Sequence, residues 1–149
     1  MATKSTKPFD RLKYDPDFEL HQTKLNHNEN EIAFTISVQD DYTLVDAIPV
    51  ATEFWNSRTD WFAKAQNRAS KNELEHINNF LDNAPDLTQI TKIQFNQALA
   101  VPSSIQLEMD DDQIWLELSY HSGLFGDHVV SVSIQLDDKT MDSDVHALY

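Results

Sequence analysis

Apolar residues alternate with polar ones in four segments of the chain, which are residues 31–39, 104–109, 113–120 and 128–136. Because successive side chains of a strand point to opposite faces of a sheet, this period of two predicts half-buried strands. Residues 140–148 alternate more weakly and are predicted to form an edge strand. In the third segment, Ile114 and Leu116 point toward the core, which places Trp115 and Glu117 on the opposite face.

The spacing of apolar residues changes to that of a helix from Leu44 to about Asn83. Ser57 and the three residues after it offer a cap and a break within this stretch, and Pro49 is expected in a first helical turn. Before the first alternating segment, residues 15–17 read Asp-Pro-Asp and are typical of a turn between two short extended pieces.

A short third helix and the order of the elements define the fold class. Thr91 and Gln94 have the spacing of a capping box, which predicts a helix just before the C-terminal strands. Strands that are joined by tight turns are antiparallel neighbours. The predicted class is therefore α+β, with an antiparallel β-meander sheet and helices packed on one face. Residues 1–8 are expected to be a flexible tail, and residues 9–149 a single domain.

Composition narrows the kind of protein. The chain has 149 residues, of which 40% are hydrophobic, and it has no cysteine. It can therefore fill a core, whereas disulfides, thiolate nucleophiles and cysteine-bearing zinc sites are excluded. The first residues lack the apolar segment of a signal peptide, and no apolar run approaches the ~20 residues that span a bilayer. The sequence predicts a cytoplasmic protein.

The charge balance is strongly acidic, with 25 acidic and 11 basic residues and a net charge of −14. Such a surface repels phosphate groups, so neither nucleic acids nor membranes are expected partners. Residues 108–149 contain ten acidic residues but a single basic one, Lys139. This concentration is consistent with a solubilising surface, or with a surface that steers a cationic partner toward the protein.

Seven residues of the C-terminal strands and turns are candidate contacts with such a partner. A tryptophan among carboxylates is typical of an interface anchor when no helix covers its face of the sheet, and Trp115 meets this description. The candidates are Asp110, Asp111, Asp112, Trp115, Glu117, Asp137 and Asp138.

The sequence contains no catalytic signature. Its two glycines, Gly123 and Gly126, lie in one loop, so the glycine-rich phosphate cradles are impossible. The same loop brings together His121, Asp127 and His128, which suggests a hydrolytic or metal site. However, the spacing fixes no third ligand, and His128 is in phase with the core-facing residues that follow it, which favours a structural histidine. We predict a protein that is not an enzyme, without catalytic residues, metal or cofactor.

A set of residues in the C-terminal half forms a pattern that is known from a protein family. These residues are Ile90, Thr91, Phe95, Leu99, Ser104, Ile105, Leu124, Phe125, Gly126, Asp127, His128, Val130, Ser131 and Val132. In this pattern the chain resembles the DUF2262 family of uncharacterised bacterial domains, over roughly residues 9–148. The resemblance implies a domain without an established catalytic activity. Small acidic bacterial proteins of this kind often occur as immunity proteins beside secreted toxins.

The leading hypothesis is an immunity protein, or antitoxin, that binds and neutralises a cognate secreted bacterial toxin through an acidic surface. The toxin is expected to be basic, and a nuclease with a positive active-site cleft fits this description. Two alternatives stay open. One is a housekeeping or scaffold domain that acts through protein–protein interaction or forms a homodimer through the edge strand. The other is a hydrolytic or metal site at His121, Asp127 and His128.

Overall fold

A computed structural model describes residues 8–39, 41–82, 88–111 and 113–147 of the chain. In these ranges the elements are β1 (Lys13–Asp15), β2 (Leu20–His27), β3 (Asn30–Val38), α1 (Leu44–Asn56), α2 (Arg58–Leu81), α3 (Lys92–Ala98), β4 (Ser104–Met109), β5 (Ile114–Tyr120), β6 (His128–Gln135) and β7 (Thr140–Ala147). The strands form one sheet in the order of the sequence, from β1 to β7. Residues 1–7 of the predicted tail and Leu148 of the predicted edge strand lie outside the described residues.

Neighbouring strands are antiparallel except at the centre, where β3 and β4 are parallel. Ala33 pairs with Ser104 and Val38 with Met109. Because parallel strands require a connection that returns the chain to the starting end, α1, α2 and α3 form the crossover between them. The predicted α+β class is confirmed. The sheet consists of two meanders, β1–β3 and β4–β7, that are joined by the parallel pair.

The core lies between the helices and one face of the sheet. Leu116, Leu118 and Tyr120 of β5 are fully buried, whereas Trp115 and Glu117 point to the other face and are half-buried. The predicted alternation in β5 is therefore confirmed. Each fully buried leucine or aromatic side chain stabilises the fold by roughly 1.5–3 kcal/mol, so this face determines how the sheet is oriented.

The two long helices meet at Ser57, as the sequence indicates. Pro49 lies in the second turn of α1, so its predicted position in the first turn is wrong. The reason is the cap at Thr43, whose backbone N–H donates to the carboxylate of Asp46 at 2.9 Å and starts the helix at Leu44. Within the described ranges, no helix combines the length and apolarity needed to cross a membrane.

Candidate functional site

Four connections lie at the same end of the sheet, because β1, β3, β4 and β6 all end there. They lead from β1 to β2, from β3 to α1, from β4 to β5 and from β6 to β7. Their described residues include one basic residue, Lys139. The acidic residues at this end form what we call the acidic rim, which consists of Asp15, Asp17, Glu19, Asp41, Asp110, Asp111, Asp137 and Asp138. The fold thus gathers acids from both the N-terminal and the C-terminal meander.

Two neighbouring turns of the rim are held together by the side chains of aspartates. Asp110 Oδ1 accepts a hydrogen bond from the backbone N–H of Gln113 at 2.9 Å, which closes the β4–β5 turn. Asp137 Oδ2 accepts one from the backbone N–H of Ile114 at 3.2 Å, and the N–H of Leu136 donates to the Ile114 carbonyl at 3.0 Å. The β6–β7 turn is therefore fixed beside the β4–β5 turn. Four predicted contacts share this corner of the sheet: Asp110, Asp111, Asp137 and Asp138.

Trp115 and Glu117 lie on the face of the sheet that the described helices leave uncovered. Trp115 pairs with Glu108 of β4 and Gln135 of β6, so a carboxylate residue is its cross-strand neighbour on the same face. Trp115 is the second residue of β5, directly after the β4–β5 turn. We call the two turns that carry Asp110, Asp111, Asp137 and Asp138 the acidic corner, and the uncovered face of the sheet the open face. Trp115 and Glu117 therefore extend the acidic corner onto the open face.

The pKa of Glu108 shows that the open face has a negative electrostatic environment. Burial raises the pKa of Glu108 above its usual value, and the charges of Glu117 and Asp110 raise it further. A hydrogen bond from Gln106 Nε2 at 3.3 Å acts in the opposite direction. Because neighbouring carboxylates destabilise one another's charged forms, a cation that binds among them relieves this repulsion. The surface is suited to lysine or arginine side chains.

Six of the seven predicted contacts thus lie in the two adjacent turns or on β5, which begins at one of them, whereas Asp112 lies outside the described residues. The structure adds members that the sequence did not indicate, namely Asp15, Asp17, Glu19, Asp41 and Glu108. The turn at residues 15–17 was readable from the sequence, but its position at the rim depends on the order of the strands in the sheet.

The loop between β5 and β6 has a different character. The ring of His128 is half-buried and stacks on Phe80, with centroids 4.2 Å apart and an interplanar angle of 22°. His121 is exposed, and its backbone N–H donates to Ser103 Oγ at 3.1 Å. In the described part of the chain, no three His, Asp or Glu side chains are arranged to hold a metal ion. The contacts of His128 are those of a packed, structural side chain.

A second cluster of titratable groups joins α2 to the edge strand β7. Glu73 is buried, with 4% of its surface exposed. One carboxylate oxygen accepts a hydrogen bond from Ser143 Oγ at 2.6 Å, and the other lies 2.8 Å from His76 Nδ1. The hydrogen bond with Glu73 and its charge raise the pKa of His76. Since both oxygens of Glu73 are used within the fold, this cluster fastens α2 onto the sheet.

The sheet, its rim and its open face define an α+β domain with an acidic surface at one end. The model of the DUF2262 family, described as an uncharacterized protein conserved in bacteria, matches residues 7–145. The chain belongs to the DUF2262 family, and the resemblance seen in the sequence is confirmed. Comparisons with curated proteins and with solved structures give no match.

Proposed function

We propose that this chain is a non-enzymatic immunity protein, which binds and neutralises a cognate, basic bacterial toxin in the cytoplasm of the producing cell. The observation that carries the proposal is the acidic rim, which places eight carboxylates at one end of the sheet. Membership of a family conserved in bacteria is consistent with this role.

The rim and the open face have separate tasks in this proposal. The carboxylates of the rim attract a basic toxin over long range, and such steering raises association rates by about 10–1,000-fold at low salt. At contact, lysine and arginine side chains of the toxin pair with the corner formed by Asp110, Asp111, Asp137 and Asp138. Trp115 supplies apolar contact area beside these charges, as aromatic residues do at the centre of many interfaces.

A homodimer through β7 is less well supported than a complex with a basic partner. Asp142 and Asp144 are both exposed on this edge strand. Pairing of two β7 strands would bring the aspartates of one copy near those of the other, and like charges across a strand pair are destabilising. Charged edge strands are a common means of preventing this kind of association.

The test uses the toxin domain of a secreted protein, which we expect to be encoded beside this chain. We expect the purified domain to bind at low salt and the chain to protect cells that express the domain. The quadruple variant D110N/D111N/D137N/D138N keeps a hydrogen-bond acceptor at each position while removing four charges. Binding should weaken by about 100-fold or more, because each close charge pair at an interface is worth roughly 1.5 kcal/mol or more and at least two of the four carboxylates are expected to pair with the toxin.

A matched control removes the same charge away from the rim. Asp10, Glu29, Glu75 and Asp127 are exposed, and the variant D10N/E29Q/E75Q/D127N should bind within about threefold of the unmodified chain. Equal losses of affinity in the two variants would mean that the net charge of the chain, and not the position of the rim, determines binding. The absence of binding at low salt to the neighbouring domain would refute the proposed function.

A further inference from the structure

A cavity of about 600 Å³ lies along α2, on the side of the molecule that carries the helices. Trp61, Lys64, Arg68, Lys71 and Lys139 line it, together with two asparagine amides. Four of the nine basic residues in the described ranges are thus found here, and none of the described lining residues is acidic. We call this cavity the basic groove. It contrasts with a chain whose net charge is −14.

Two elements build the basic groove. Lys64, Arg68 and Lys71 have the i, i+4, i+7 spacing that places residues on one face of a helix. Because a helix rises about 1.5 Å per residue, these three cations extend over roughly 10 Å. Lys139 approaches from the β6–β7 turn, where its positive φ of 56° fixes the last residue of the turn. The groove therefore depends on the packing of α2 against the C-terminal meander.

The cations of the basic groove retain much of their capacity to bind an anion. Arg68 Nη2 lies 3.3 Å from Asp142 Oδ1, but both side chains are exposed and this pair uses a small part of the guanidinium's five donors. The ion pairs found in the described ranges include none of the three lysines. Lys64 Nζ lies 5.3 Å from the centre of the Trp61 ring. Four positive charges in one cavity repel one another, and an anion would offset that repulsion.

We propose that the basic groove is a binding site for a small molecule that carries an oligophosphate group. Ammonium, guanidinium and amide groups line the groove as hydrogen-bond donors, and phosphate oxygens are acceptors. Small-molecule sites have volumes of about 300–1,000 Å³, a range that includes this cavity. A row of cations along α2 matches an extended chain of phosphates better than a single compact anion. The proposal does not rest on the proposed function, although Lys139 belongs to the β6–β7 turn, which also carries Asp137 and Asp138 of the acidic rim.

The large negative charge of the chain does not prevent such binding. At physiological ionic strength, charges are screened over about 8 Å, so the ligand interacts chiefly with charges within that distance. These include the four cations that line the basic groove and Asp142, whose carboxylate lies 3.3 Å from Arg68, so the cations outnumber the nearest opposing charge. The same screening makes the affinity depend on salt. Binding should weaken as the salt concentration rises, because the contacts are charged and exposed.

The experiment is a calorimetric titration of the full chain with sodium tripolyphosphate, with adenosine triphosphate and with adenosine. We expect saturable binding of both phosphorylated probes and none of adenosine. The variant K64Q/R68Q/K71Q should raise the Kd for tripolyphosphate by about tenfold or more, since charge-assisted hydrogen bonds are the strong ones. Circular dichroism and thermal unfolding check that this exposed triple variant remains folded.

The matched control is R11Q/K13Q/K24Q, which removes the same charge from another cavity, beside β1 and β2. It should leave the Kd for tripolyphosphate within about twofold. The proposal is overturned if the two triple variants lose affinity equally, if no probe shows saturable binding, or if adenosine binds as tightly as adenosine triphosphate. Tighter binding of a hexaglutamate peptide than of tripolyphosphate would also overturn it, in favour of an acidic protein segment.

Discussion

The two ends of the sheet are built from similar tight turns but from different residues. At the rim, the described connections contain seven acidic residues, and an eighth, Asp15, ends β1. At the opposite end, the β2–β3 and β5–β6 connections contain two acidic residues, Glu29 and Asp127. Three histidines, His27, His121 and His128, lie in or beside those connections, and we call this the histidine end.

Comparing the two ends distinguishes the residues that form the turns from the additional charge that the rim turns contain. Three rim aspartates, Asp15, Asp110 and Asp137, accept backbone hydrogen bonds and so help to form their turns. The histidine end forms its turns with Asn28 at positive φ and with glycine, without comparable charge. Acidic side chains are therefore one of several ways to make such turns. Their concentration at one end is consistent with the proposed role in recognition.

The largest expected effect lies at the histidine end. Gly126 has φ 62° and ψ −127°, a conformation that is essentially restricted to glycine. Gly126→Ala should lower the free energy of unfolding by about 2 kcal/mol, as measured by urea denaturation. Gly123→Ala is the control, because a Cβ atom there meets nothing within 4 Å. Equal stability of the two variants would contradict the assigned turn geometry.

The next effect concerns Tyr120, the last residue of β5 at the same end. Its hydroxyl is buried and has no hydrogen-bond partner among the described residues, and burial raises its pKa. Tyr120→Phe removes an unsatisfied polar atom and should stabilise the protein by about 1 kcal/mol. Tyr14, whose side chain is 54% exposed, provides the control, and Tyr14→Phe should change little. Destabilisation by Tyr120→Phe would show that the hydroxyl is satisfied in solution.

A smaller effect is expected at the acidic corner. The variant D111N/D138N keeps acceptors in both turns but reduces repulsion among the corner carboxylates. It should raise the free energy of unfolding by about 0.5 kcal/mol at low salt. The gain should vanish near 1 M salt, where screening acts over about 3 Å. The control E29Q/D127N, at the histidine end, should show no such gain. A loss of stability in D111N/D138N would mean that the charges serve the fold.

The smallest effect is a dependence on pH at the histidine end. Arg58 Nε donates to His27 Nδ1 at 2.8 Å, and burial, followed by the charge of Arg58, lowers the pKa of His27 from its usual 6.5. The unfolded chain therefore binds the proton more tightly than the folded protein does. The contribution of neutral His27 to the stability of the fold is complete above pH 6.5, and it is lost as the pH falls through the lowered pKa of His27.

Unfolding curves at several pH values below 6.5 test this dependence. In His27→Gln the free energy of unfolding should fall less steeply with decreasing pH than in the unmodified chain. In His121→Gln, a change at an exposed position, it should fall as steeply as in the unmodified chain. An unchanged pH profile in His27→Gln would assign the loss to other groups.

The features that the sequence predicts are those that neighbouring residues determine. The capping box of α3 is present, with the Gln94 N–H donating to Thr91 Oγ1 at 3.1 Å and the Thr91 N–H donating to Gln94 Oε1 at 2.9 Å. The alternation in β5 is correct because burial of every second side chain is a local requirement. The break at Ser57 is likewise marked by its own residues.

What the sequence did not reveal depends on long-range pairing. The parallel pair of β3 and β4 joins segments that three helices separate, and no local pattern specifies it. That pairing determines that Asp15 and Asp17 share the rim with the C-terminal acids. The basic groove could be predicted only in part. The helical spacing of Lys64, Arg68 and Lys71 is visible in the sequence, whereas the position of Lys139 beside them depends on the folded sheet.

The parallel pair at the centre of the sheet also has a consequence during protein synthesis. When β1 to β3 have left the ribosome, Ile32, Phe34 and Ile36 lie on a strand whose partner, β4, has not yet been made. The ribosome must first translate the three helices, which takes roughly 4 s or longer at bacterial elongation rates. During that interval the nascent chain exposes an apolar strand edge that can pair with other chains. Chaperones that bind emerging polypeptides would act on this segment first.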